Sequence, residues 1–326
     1  MKKFLSLLLI LTLVLTALVA CGTTEDTTPE TPDNNTETPD NTPTEKTYTL
    51  ALAVDTTVSA KNKVSNTALV LVLDADNKIV AARFDCAEAT PALDEAGALV
   101  PQESVESKVE KGDAYTGMNA GSWEQQTAAF EQFLIGKTPA EVAALQFVVD
   151  GADAGLVAGC TMKSSMPTFQ ALVAEAFAST TKVTFKTTES IKTGLALSTS
   201  VKSGKGGKVT VSTDVAATVI AGDKVAATAI DSIEQSFTIE EVEGAMALVA
   251  GTLSASKTEQ GENYTMPAGS WVKQAAAFSN STVGKTVAEL ENLEVVSDAL
   301  AAAGCTMQNT TAGYKATIIK AASYAK

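Results

Sequence analysis

Apolar and polar positions follow three regimes along this chain. Residues 4–15 form an apolar run broken only by Ser6 and Thr12, and Leu18-Val19-Ala20-Cys21 follows soon after. Residues 22–46 carry no large apolar side chain and are filled by Thr, Pro, Asp, Glu and Asn. From residue 47 the pattern is that of a folded chain, and it is run through twice. Thr67–Leu73 and Lys78–Phe84 are β-prone apolar runs around Asp74-Ala75-Asp76-Asn77, which predicts a hairpin. Lys208–Ile220 and Lys224–Ile230 do the same around Gly222-Asp223, and the glycine-rich 203–208 predicts a further turn. After each tryptophan the period changes. Trp123, Thr127, Phe130 and Leu134 fall at helical spacing, as do Trp271, Ala275 and Phe278. Thr138-Pro139-Ala140-Glu141 and Thr286-Val287-Ala288-Glu289 predict two helix starts, with Thr as cap and Glu three residues on. A last helix is predicted over 167–178 and again over 312–324.

The two passes share wording as well as rhythm. Thr49-Leu50-Ala51-Leu52 is answered by Gly194-Leu195-Ala196-Leu197, and runs beginning at Asn77 and Asp223 lead to Asp85 and Asp231. Met118-Asn119-Ala120-Gly121-Ser122-Trp123 matches Met266-Pro267-Ala268-Gly269-Ser270-Trp271, and these are the chain's two tryptophans. Gly136-Lys137-Thr138 matches Gly284-Lys285-Thr286, and Ala158-Gly159-Cys160-Thr161-Met162 recurs unchanged as Ala303-Gly304-Cys305-Thr306-Met307. The expectation is an α+β fold in two tandem homologous domains, 47–190 and 191–326, each β-rich first and helical afterwards.

The N-terminal regimes read as targeting and spacing. Lys2 and Lys3, the short apolar run and the Leu-x-Ala-Cys ending predict a lipoprotein signal peptide over 1–20, with Cys21 as the lipidated new N-terminus. The run is short for a membrane span. Residues 21–46 are expected to be a disordered tether, since they offer too little apolar surface to offset ordering. The net charge is −14, which disfavours nucleic acid and anionic headgroups as partners.

Composition removes most catalytic chemistry. The chain has no histidine, which excludes the usual zinc and copper sites, haem attachment at C-x-x-C-H, and Ser-His or Cys-His nucleophiles. No two of the four cysteines stand at C-x-x-C spacing. Gly136-Lys137-Thr138 is not a phosphate loop, because Glu131 stands where that motif needs glycine, and Ser279 stands there in the second pass. A helix C-cap followed by an N-cap is the expected role. Adjacent carboxylates such as Glu240 and Glu241 read as a solvated face. Cys86, Cys160 and Cys305 read as small buried residues, with a Cys86–Cys160 disulfide left open.

What remains is the repeated five-residue string. Asp153, then Ala158-Gly159-Cys160-Thr161, then an alanine-rich helix resembles the attachment motif of covalently flavinylated FMN-binding domains. Asp298 stands eight residues before Thr306, as Asp153 does before Thr161. Ala158 and Ala303 replace the family's serine, and Cys160 and Cys305 its alanine. With the tether, Gly-Ser-Trp-x-x-Gln-x-x-Ala-Phe and Gly-Lys-Thr-x-x-Glu, the chain resembles two-repeat Gram-positive lipoproteins of flavin-based extracellular electron transfer. The resemblance implies two covalent FMN groups, moved from FAD by a flavin transferase onto the hydroxyls of Thr161 and Thr306. It implies that Gly159 and Gly304 permit the turn. Trp123 and Trp271 are candidates for stacking on the ring, with core packing as the alternative. The implied location is the extracytoplasmic face of the cell membrane, held by the lipid anchor. The donor would be membrane quinol or an NADH dehydrogenase, and the acceptors ferric iron or free flavins. Such a protein is an electron carrier rather than an enzyme in its own right, any reductase activity belonging to the flavin. A non-redox binding or structural surface lipoprotein is the rival expectation.

Overall fold

Strands lead and helices follow in each half of the chain. The computed structural model describes residues 44–115, 121–145, 160–162, 165–307 and 310–326. The signal peptide, Cys21, the tether up to residue 43, the Met118–Ala120 block, Asp153, Ala158 and Gly159 lie outside the described residues.

The first half begins with β1 (Lys46–Val58), β2 (Val64–Leu73) and β3 (Ile79–Ala89). A small hairpin of β4 (Ala92–Leu93) and β5 (Leu99–Val100) leads to β6 (Gln102–Val105), and then come α1 (Lys108–Lys111), α2 (Trp123–Leu134), α3 (Pro139–Ala143) and α4 (Met166–Ala178). A connecting strand, β7 (Val183–Thr187), precedes β8 (Ile191–Ser203), β9 (Val209–Ala221), β10 (Lys224–Val242) and β11 (Ala245–Ala250). The remainder is α5 (Lys257–Gln260), β12 (Thr265–Met266), β13 (Gly269–Ser270), α6 (Trp271–Thr282), α7 (Val287–Glu291), α8 (Asp298–Ala302) and α9 (Thr311–Ser323). The fold is mixed α+β with strand the larger share. The β2–β3 and β9–β10 hairpins fall at the turns the sequence marks, and the folded chain begins one residue early, where Lys46 pairs with Thr187.

Two antiparallel sheets, in the orders β3-β2-β1-β7 and β11-β10-β9-β8-β6, lie face to face. Side chains alternate along a strand, and both faces of each sheet are covered. On β1, Leu50, Leu52 and Val54 point at the other sheet and meet Leu195, Leu197, Val215 and Val219. Ala51 and Ala53 point the opposite way, beneath Trp123 and Phe130 of α2 and Phe169 and Leu172 of α4. The second sheet does likewise, with Ala196, Ala216 and Ile230 beneath Trp271 and Phe278 of α6 and Tyr314 and Ile318 of α9. The layers therefore run helix, sheet, sheet, helix. Each large aliphatic side chain in the inner layer contributes about 1.5–3 kcal/mol of transfer free energy.

Two details of register refine the sequence correspondence. Asp85 pairs with Ala68 and Ala68 with Val54, whereas Asp231 pairs with Val215 and Val215 with Leu197. Val54 thus occupies the place of Leu197, so Leu52, not Leu50, answers Leu195. The similar Leu-Ala-Leu and Leu-Ala-Val words hid a two-residue slip that leaves the buried face unchanged. The Gly-Lys-Thr stretches splice helix to strand. Gly136 N–H donates to Ile79 O (2.8 Å) and Ile79 N–H to Lys137 O (2.9 Å), while Gly284 and Val225 with Lys285 repeat the pair at 2.8 Å each. Thr138 and Thr286 then open α3 and α7 with complete capping boxes to Glu141 and Glu289.

Candidate functional site

Both repeated strings place an exposed threonine between two buried neighbours. Cys160 and Met162 are buried and Thr161 is exposed, and Cys305, Met307 and Thr306 show the same pattern. Burial of the flanking side chains fixes which way the middle one must point. A buried glutamine then takes hold of it. Thr161 donates its backbone N–H (2.7 Å) and its hydroxyl (2.8 Å) to Gln126 Oε1. Thr306 donates the same two groups to Gln274 Oε1, at 2.9 and 3.0 Å. Gln126 and Gln274 are 0% exposed and sit one turn into α2 and α6, three residues past the tryptophan. In both, Nε2 has no hydrogen-bond partner among the described residues. Ser165 and Thr310, not Thr161 and Thr306, are the N-cap residues of α4 and α9, and neither side chain makes a cap bond.

The backbone of the second string explains its glycine. Gly304 follows α8 with φ 97°, in the left-handed region that favours glycine. Its N–H donates to Ala301 O and the Cys305 N–H to Leu300 O, both at 3.0 Å. That pair of bonds closes a helix C-terminus with the chain turned sharply, and it delivers Cys305 to the core and Thr306 to the surface. α8 itself was not foreseen. Its signal is Ser297, whose side chain accepts from Leu300 N–H, with Asp298 in the first turn.

A second arrangement recurs beside each tryptophan, and the sequence did not single it out. Lys108 Nζ lies 3.0 Å from Glu88 Oε1, 4.9 Å from the Tyr115 ring and 5.6 Å from the Trp123 ring. Lys257 Nζ lies 3.0 Å from Glu234 Oε1, 5.3 Å from Tyr264 and 6.0 Å from Trp271. Burial works against the charge on Lys108, but attraction to Cys86 and Glu88 outweighs it, and the ammonium is held above the usual lysine range. The tryptophans are core members, 3% and 2% exposed, each set edge-on to an aromatic of the last helix, Phe169 or Tyr314. In the first half a cavity of about 150 Å³ opens beside this cluster, walled by Asp55, Cys86, Lys108, Trp123 and Thr168. Ser165 also lines it, four residues beyond Thr161 and so within about 14 Å along the chain. The second half differs at the same point. The paired residues Thr67 and Cys86 become Asp214 and Ser232, and burial pushes the Asp214 carboxyl up to about 6.

The thiols of Cys86, Cys160 and Cys305 are free and buried, and no disulfide joins Cys86 to Cys160. Burial pushes all three thiols up, which makes them poor nucleophiles. Among the described residues no group of three or more Cys, Asp or Glu side chains is placed to hold a metal ion, and no helix is long and apolar enough to cross a membrane. No protein-family model, curated protein or solved structure matches the chain.

Proposed function

We propose that this chain is a lipid-anchored surface protein whose two halves, 47–190 and 191–326, are tandem copies of one domain, each carrying covalent FMN. The observation that carries the reading is the twin threonine clamp. An exposed threonine stands between two buried residues, and its hydroxyl is held by a glutamine that uses one end of its amide for nothing else. An acceptor for a phosphoryl group needs that combination of access and fixed position. Thr161 and Thr306 offer the linkage, and a cavity of about 150 Å³ lined by Lys108 and Trp123 reaches Ser165, within about 14 Å of the first along the chain. FMN would supply the electron chemistry that a histidine-free chain without a metal-binding cluster among its described residues otherwise lacks. The protein's own part is to hold the group by a bond that dilution outside the cell does not break. Flavin transferase, a membrane quinol or NADH dehydrogenase donor, and ferric iron or free flavins as acceptors follow from the resemblance.

The test is intact mass of the ectodomain after co-expression with a flavin transferase. Two FMN-sized increments are expected, with Thr161→Ala and Thr306→Ala each removing one. An unmodified mass, where a Ser-Gly-Ala-Thr substrate is fully labelled in parallel, would sink the reading. One observation favours the rival, a non-redox binding protein. A cavity of about 450 Å³ between Thr180–Thr184 and α6 touches neither threonine. The same mass measurement separates the two.

A further inference from the structure

We infer that Gln126 and Gln274 are positioning residues for modification of Thr161 and Thr306. The inference rests on the flavin reading above. Both glutamines are wholly buried, and a buried amide left half-satisfied costs about 1–3 kcal/mol relative to a satisfied one. A core position does not call for that residue, since methionine would fill similar space without the penalty. Both halves nonetheless keep it. In both, the amide oxygen is spent on the threonine alone, and Nε2 stands idle within about 5 Å of the threonine Oγ1.

The geometry sets the nucleophile. The hydroxyl hydrogen points inward to Oε1, so the lone pairs of Oγ1 face the exposed side, from which phosphorus must approach. The backbone N–H bond to the same oxygen fixes the main chain behind that hydroxyl, so the threonine as a whole cannot shift without breaking two bonds, while a turn of its side chain breaks one. In the transfer, the Oγ1–P bond forms and the pyrophosphate P–O bond of FAD breaks. AMP departs with that oxygen, and the hydroxyl hydrogen, turned about Cβ–Oγ1 out of its bond to Oε1, passes to a base of the transferase on the exposed side. The glutamine does not take the proton. It gives up one hydrogen bond once Oγ1 is esterified, and its part is confined to holding the threonine before transfer.

The experiment measures FMN incorporation at each threonine separately, by peptide mass spectrometry over time, in the full ectodomain with transferase and FAD. Gln126→Met removes the acceptor and is expected to slow labelling of Thr161 at least tenfold while Thr306 is labelled at the wild-type rate. Gln274→Met should do the reverse. The unaffected site is the fold control, because the two sheets share one inner core and a misfolded chain would lose both. Gln126→Glu keeps an oxygen for both threonine donors and is expected to restore Thr161 labelling to within threefold of wild type. Wild-type labelling of Thr161 in Gln126→Met overturns the inference. So does a Gln126→Glu variant as inert at Thr161 as Gln126→Met while Thr306 is still modified. A wild-type chain that takes no FMN at either threonine overturns the flavin reading, and the role of the glutamines with it.

Discussion

At Asp85 a buried carboxylate ties a strand to the start of a helix. Its Oδ1 accepts the N–H groups of Cys86 (2.7 Å) and Val109 (3.1 Å), and Asp231 does the same for Ser232 and Thr258 at 2.7 and 3.0 Å. Burial outweighs those bonds, and the carboxyl is pushed up to about 7 at Asp85 and about 6 at Asp231. The folded state therefore keeps a proton at pH values where the unfolded chain has released it. Stability from this source is full below the unfolded value near 4 and declines as pH rises through 7. Asparagine keeps the accepting oxygen and has no charge to desolvate. Asp85→Asn should equal wild type within about 1 kcal/mol at pH 4.5 and exceed it by roughly 1–3 kcal/mol at pH 8, read from urea unfolding. Parallel curves at the two pH values would refute the assignment. The two aspartates were visible in the sequence as the ends of matched runs, but what they bind was not. The same holds for Gln126 and Gln274. Their place in the shared Trp-x-x-Gln word is plain, yet their partners lie 35 and 32 residues away, beyond the reach of any local pattern.

Elements whose causes are local were legible, and those settled by distant contacts were not. Capping boxes at Thr138 and Thr286, the two hairpins and the closing helices all rest on neighbours within four residues or on simple periodicity. The crossing of β6 into the second sheet, where Gln102 pairs with Val201 and Val105 with Thr199, has no local signature. α8 is five residues long, too short for a period to register. Gly194 shows how tightly the elements meet. A Cβ there would lie 1.8 Å from Ala321 O of α9 and 3.0 Å from Ala325 N, so α9 rests on β8 with backbone against backbone. Gly194→Ala should cost at least about 3 kcal/mol by overpacking and helix displacement, and it should perturb the Thr193 N–H to Lys326 O bond of 3.3 Å. A melting temperature within 2 °C or so of wild type would show that α9 yields easily.

Across the described residues of the compact unit that follows Thr42, the two halves are alike in plan and unlike in charge. Lys320, fourteen residues after Thr306, pairs with Glu110 and donates to Leu197 O at 2.7 Å. Fourteen residues after Thr161 stands Glu175 instead. It lines a cavity with Asp231 and Glu259, where burial first and then Glu259, Asp55 and Asp231 push its carboxyl up to about 7. That acid also favours low pH, by the same sign as Asp85. Glu175→Lys offers Glu259 the partner that Glu110 already has. It should add about 1 kcal/mol at pH 8, roughly 2–4 °C in Tm, and should weaken the loss of stability between pH 5 and 8. A lower Tm at pH 8 would mean that the cavity does not admit the ammonium. None of this asymmetry could be read from the matched words, because the residues concerned stand outside them.

The inner layer, where Leu50, Leu52 and Val54 meet Leu195, Leu197 and Val215, has a consequence for how such a protein is made and lost. Neither half possesses a complete interior of its own. A ribosome that stalls near residue 190, or a protease that cuts there after unfolding, releases a sheet with one naked oily face and a strand, β6, without its partner β8, the composition of an aggregation seed. The two halves, joined through one interior, stand or fall together.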